Sequence, residues 1–215
     1  MKPGRPPGRR ISRVKAGGGL VQIFMLLALL APPVAGSTLE VISVAGTGTA
    51  AYWGDGGEAW TTPLDAPGDI AVDRSGDAFI ADTSNERVRM VPASSGTFFG
   101  QTMVRGDLYT IAGNGAVCSA HNPAGCGYTS GGVAQPATAA KLDAPSAVAV
   151  DSSGDLYIAD TTDNMVAMVV ASSCSTACPF GLASTAVGDI YDIAGTGTAC
   201  TSHSPSGCGY TSGGA

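Results

Sequence analysis

Residues 66–83 read APGDIAVDRSGDAFIADT and residues 144–161 read APSAVAVDSSGDLYIADT, and twelve of these eighteen positions are identical at an offset of 78. A second comparison, at an offset of 82, lays residues 107–132 over 189–214, matching DLYTIAGNG to DIYDIAGTG and the run CGYTSGG to itself. One unit therefore recurs along the chain, with linkers of unequal length. Such self-similarity is the mark of a repeat architecture, in which each unit buries itself against its neighbours.

Within the unit, short apolar runs are broken by Asp, Ser and Gly, which is the pattern of strands and tight turns and not of a helical period. Four strands are expected per unit: Asp69–Asp73, Ala78–Ala81, Arg87–Val91 and Leu108–Ala112, then Ala147–Val150, Leu156–Ala159, Met165–Val169 and Ile190–Ala194. A leading strand is expected near Val41–Ala45. Asp73 to Asp77 and Asp151 to Asp155 supply hairpins, with Gly76 and Gly154 where a positive φ is needed. Large and small apolar residues alternate along the first two strands, so both faces of each sheet need cover. Stacked propeller blades meet that need, whereas a sandwich shows one polar face. The fold class expected is all-β: an incomplete β-propeller of four-stranded antiparallel blades, about two complete blades plus partial flanking strands.

The residues Leu142 to Asp151, followed by Gly154 to Thr161, resemble the NHL repeat, as do Asn85 to Val91. Val44 to Gly48 and Gly54 to Gly57 are similar to the linker between such repeats in bacterial exported and teneurin-like NHL proteins. The resemblance covers nearly all of residues 40–215. The second copy departs from it, with Met165 in place of Arg87 and Ala167 in place of Arg89.

Lys2, Arg5, Arg9, Arg10, Arg13 and Lys15 precede the apolar run Leu20 to Ala31 and the segment Pro32 to Ser37, the order of a secretory signal peptide. Twelve apolar-run residues are too few for a helix across a bilayer of about 30 Å, which favours a signal over an uncleaved anchor. Cleavage is expected after Gly36, giving 1–36 as signal and 37–215 as propeller, with units at about 64–113 and 142–195 and a third beginning at 196–215. The protein is expected to be secreted or at the cell surface, with no membrane insertion once the signal is removed. The mature part holds five basic and seventeen acidic residues, a formal charge of 5 − 17 = −12. That balance argues against nucleic acid or an anionic membrane as partner.

Six cysteines in an exported chain read as disulfides, paired locally as Cys118 with Cys126, Cys174 with Cys178 and Cys200 with Cys208. His121 and His203 lie inside the first and third loops, so zinc is an alternative, but each loop lacks a fourth ligand of its own. Asp73, Asp77, Asp82, Asp151, Asp155 and Asp160, together with Asp69, invite a calcium or acid–base reading. Turn-forming carboxylates that accept backbone N–H groups explain them better. No metal, cofactor or catalytic residue is assigned. The aromatic residues Tyr52, Trp53, Trp60, Tyr128 and Tyr210 fall in linkers and are expected to cover the blade rims, a binding surface being the alternative.

The expectation for function is a non-catalytic extracellular module binding a protein or carbohydrate, closed into a ring by further blades or by self-association. Propeller-type lyases and lactonases also resemble this fold. Their activity would require histidines or metal-binding acids in blades outside this chain.

Overall fold

A computed structural model describes residues 42–128 and 135–195. Two antiparallel sheets dominate. The first contains β1 (Gly57–Glu58), β2 (Pro67–Val72), β3 (Ala78–Asp82), β4 (Arg87–Val91) and β7 (Asp107–Ala112), in the order β1-β7-β4-β3-β2. Between β4 and β7 sits a separate hairpin, β5 (Gly96–Phe98) with β6 (Gln101–Met103). The second sheet contains β8 (Pro145–Val150), β9 (Leu156–Asp160), β10 (Met165–Val169) and β11 (Ile190–Gly195), in the order β11-β10-β9-β8. The described residues thus form an all-β, incomplete propeller of two blades, as the repeat implies.

Register is the same in both blades. Ala78 faces Val91 and Asp82 faces Arg87 in the first, and Leu156 faces Val169 and Asp160 faces Met165 in the second. The β-bulge between Val88 and Arg89 recurs between Val166 and Ala167. Identical side-chain alternation fixes identical pairing, since a one-residue slip would turn every buried residue outward. The hairpins follow suit: Asp73 N donates to Asp77 O at 3.0 Å and Asp151 N to Asp155 O at 3.1 Å. Gly76 and Gly154 take φ values of 88° and 87°, open to glycine at little cost.

The main core lies between the blades. Phe79, Val88 and Met90 of the first share one buried cluster with Leu156, Ile158 and Val169 of the second. β3 is buried along its whole length, which is why its sequence carries no polar face. Polar bonds lock the same interface: Val148 N donates to Asp69 Oδ2 at 3.0 Å, Ala144 N to Glu86 Oε2 at 2.6 Å, and Thr83 Oγ1 to Pro145 O at 2.8 Å. Gly68 sits so close to Ser146 that an added Cβ would lie 2.9 Å from its carbonyl oxygen.

Three expectations are corrected. The first sheet has five strands, because Gly57 and Glu58 of the preceding linker pair with Leu108 and Asp107. Among the described residues, the linker before the second blade contributes the isolated bridge Pro136 to Asp189. Residues 42–45 form no strand; Ile42 and Val44 are exposed, so this apolar pair has no sheet to join. The β5–β6 hairpin has strands of three residues each, too short to carry a period, and its turn uses Phe99 at φ 49° before Gly100 at φ 77°. Packing offsets that strain, since the buried Phe99 ring meets Phe79 edge-on with centroids 6.1 Å apart.

Candidate functional site

The aspartates singled out by the repeat are held in matching roles. Asp73 Oδ1 accepts from Ser75 N and Asp77 N, both at 2.8 Å, and Asp151 Oδ1 accepts from Ser153 N at 2.8 Å and Asp155 N at 3.0 Å. Asp77 Oδ1 then accepts from Ala93 N at 2.6 Å and Asp155 Oδ1 from Ala171 N at 2.8 Å. Asp82 Oδ1 accepts from Asp65 N at 2.7 Å, and Asp160 Oδ1 from Asp143 N at 2.8 Å. The last two pairs reach sixteen or seventeen residues along the chain, further than the nearby amides expected. Each carboxylate bonds backbone in a fixed place, and Asp73, Asp77 and Gly154 come together with Phe98 and Phe99 at a groove between the blades.

The blades diverge at the corner where the second strand turns into the third. In the first blade, the wholly buried Arg89 guanidinium lies 2.9 Å from Asp55 Oδ1 and 3.4 Å from Asp82 Oδ2. Asn85 Nδ2 donates to both Asp82 oxygens, and Thr110 Oγ1 donates to Asp55 Oδ1 at 3.0 Å. Arg87 caps the corner, donating to the carbonyls of Gly113 and Asn114, with its guanidinium 4.0 Å from the centre of the Tyr52 ring. Burial pushes the Asp82 carboxyl up, against the pull of Asp65 N, Asn85 and Arg89.

In the second blade every cationic member is gone. Met165 and Ala167 stand where the arginines were, Asp163 stands for Asn85, and Asp192 stands across from Ala167 as Thr110 does from Arg89. Tyr128, buried, donates its hydroxyl to Asp160 Oδ2. His121 Nδ1 lies 2.7 Å from Asp163 Oδ1, the imidazole half-exposed and the carboxyl fully buried. The ligand atoms of His121, Asp143 and Asp163 all lie within 4.8 Å of one another. Burial raises the Asp160 carboxyl to about 7, opposed by Tyr128 and Asp143 N and reinforced by Asp163. Burial also raises Asp163, which His121 pulls down and Asp143 pushes up. Glu86 is raised by burial, with Asp143 and Asp163 adding to it. Asp192 reaches about 6 through burial alone, opposed by Ala194 N.

Disulfides join Cys118 to Cys126 and Cys174 to Cys178, as the spacing implied. With its two sulfurs bonded to each other, the zinc set of Cys118, Cys126 and His121 does not form, and His121 turns to Asp163 instead. Cys200, Cys208, His203 and Tyr210 lie outside the described residues. Trp53 and Trp60 are more than half exposed and Tyr52 is 40% exposed, while Tyr128 is buried, so the linker aromatics divide between surface and core. No described helix is long and apolar enough to cross a membrane. Asp143, Asp163 and Asp192 were not picked out from the sequence. Setting Asn85 against Asp163 at the offset of 78 would have found the second of these, because it places an acid beside Asp160 just where Arg89 is lost.

Two solved structures from Bacteroides thetaiotaomicron VPI-5482 are similar to this chain. One is a structural genomics protein of unknown function, at 19% identity and a TM-score of 0.35, the match covering 54% of this chain and 24% of that one. The other is an auxiliary nutrient binding protein, at 18% identity and a TM-score of 0.33, covering 54% of this chain and 25% of that one. The matched part spans about a quarter of the length of each. No curated protein matches the sequence. The Teneurin NHL domain model matches residues 59–170, which include β2, β3, β4 and β7 of the first blade and the linker and first three strands of the second. The chain therefore belongs to the Teneurin NHL domain family.

Proposed function

We propose that the chain is an exported, non-catalytic interaction module whose blades present loops and an inter-blade groove to a protein or carbohydrate. Residues 1–36 would direct export, and residues 37–215 would be the binding part, with blades at about 64–113 and 142–195. The groove carries this reading: Phe79, Met90, Phe98 and Phe99 line it together with Asp73 and Asp77. A lining of aromatic rings with a few fixed polar groups suits recognition by stacking and hydrogen bonding. The aspartates there are engaged with backbone N–H groups, so they orient the groove and are poorly placed to act as acid and base. The two disulfides are in keeping with an oxidising compartment.

Expression of the full chain, followed by mass spectrometry of the secreted product, tests export: cleavage after Gly36 and an absence of free thiols are expected. Binding is tested on glycan and protein arrays with the secreted chain and its Phe98→Ser variant. A ligand held by the former and lost by the latter at equal melting temperature supports the groove. Turnover of a lactone or a lyase substrate by the purified chain would overturn the non-catalytic reading.

A further inference from the structure

We propose that His121, Asp143 and Asp163 form a binding site for a divalent transition cation of the zinc class, built into the linker corner of the second blade. One imidazole and two carboxylates are the mixed nitrogen and oxygen donors that zinc accepts, with water completing the set. Their ligand atoms lie within 4.8 Å of one another, and the 2.7 Å approach of His121 Nδ1 to Asp163 Oδ1 already brings two together. Separations of roughly 3.3 Å are expected around a tetrahedral zinc, so closure needs only small side-chain rotations.

Three observations around this corner favour a cation. First, Asp163 is wholly buried and its Oδ2 lies 3.3 Å from Cys126 Sγ. That sulfur is bonded to Cys118 and has no proton to give, so this contact adds no hydrogen bond, and the side-chain partners of Asp163 are His121 and another acid, Asp160. Second, the equivalent corner of the first blade holds its cation in covalent form, the Arg89 guanidinium between Asp55 and Asp82, and Ala167 leaves that charge unreplaced. Third, Asp192 lies across from Ala167 with its Oδ1 buried and unpartnered, adding another carboxylate where a positive charge has been lost. Buried carboxylates in such number persist when they are protonated, paired or bound to metal, and a cation would let them stay ionised. Asp160 and Glu86 surround the set from β9 and from the neighbouring blade. Asp160 fixes the Asp143 backbone through its N–H, and Glu86 holds the next residue, Ala144, in the same way. The disulfide closes the loop that carries His121, so the three donors come from segments held by covalent and backbone bonds.

The test uses the full secreted chain, confirmed by mass spectrometry to hold no free thiols. Zinc chloride is titrated calorimetrically into the chain and into the His121→Ala, Asp163→Asn and His203→Ala variants, with calcium chloride as a parallel titrant. One zinc per chain, an affinity at least about tenfold weaker in His121→Ala, and no change in His203→Ala are expected; losses of that size follow even outer-shell changes. Zinc should raise the melting temperature of the wild type and leave that of His121→Ala unmoved. Because His121 is half-exposed, its variant serves even if Asp163→Asn fails to fold. No binding at millimolar zinc, binding that only His203→Ala abolishes, binding that appears only after reduction, or an equal preference for calcium would each overturn the proposal.

Discussion

The two blades share one backbone and differ in how one corner neutralises its charge. In the first, Asp82 is matched by Arg89 and Asn85, and the corner closes with every carboxylate paired. In the second, Asp160 has the Tyr128 hydroxyl and the Asp143 N–H as donors, and Asp163 has a half-exposed histidine and a side-chain hydrogen bond with Asp160. Identical strand register in both shows that the fold tolerates the change, because register depends on apolar alternation and the hairpin aspartates. Electrostatic pairing at the corner is thus a separate layer laid over a common frame. A layer of that kind is free to change from structural ion pair to ligand site without altering the blade.

The comparison is broken most severely by Arg89→Ala, which gives the first blade the second's charge deficit. Loss of one member of a buried ion pair costs about 3–5 kcal/mol, read as a lower denaturant midpoint. Removing the Cys118–Cys126 bridge with paired serines should cost about 2–3 kcal/mol by the loop-entropy relation and should weaken zinc binding through the freed His121 loop, without touching the first blade. The shared frame is tested by Asp73→Ala and Asp151→Ala, each expected to cost about 1 kcal/mol through loss of the turn hydrogen bonds. Unequal costs would show that the blades are less alike than their register implies.

The finest difference is in pH. Asp192 titrates at about 6 in the folded chain, above the roughly 3.9 of an unfolded aspartate. Protonated, it is tolerated; ionised, it is buried without a full set of partners. Its contribution to stability is fully present below about pH 4 and is lost as pH rises through about 6. Asp192→Asn should therefore flatten the fall in melting temperature between those pH values and leave the chain more stable than wild type at pH 7.5.

Much of the fold was legible because the repeat states it twice. The hairpins Asp73 to Asp77 and Asp151 to Asp155, and all eight blade strands, follow from alternation and turn chemistry. The fifth strand at Gly57–Glu58 and the β5–β6 hairpin were not, since both are too short to carry a period and exist through pairing and through the Phe99–Phe79 contact. The apolar Val41–Ala45 stretch misled for the opposite reason: alternation makes a strand only where an edge is available to pair with it.

The candidate cation site was half visible. The chain itself determined that Arg89 has no counterpart at Ala167, that Asp163 replaces Asn85, and that Cys118 and Cys126 flank His121, because these are matters of identity and spacing. Only the folded chain decided that His121, forty-two residues before Asp163, meets its carboxylate, and that Asp143 closes on both. Such a meeting depends on how the linker loop folds back over the turn between β9 and β10. Loop closure is set by packing and the disulfide rather than by any local preference of the residues it brings together.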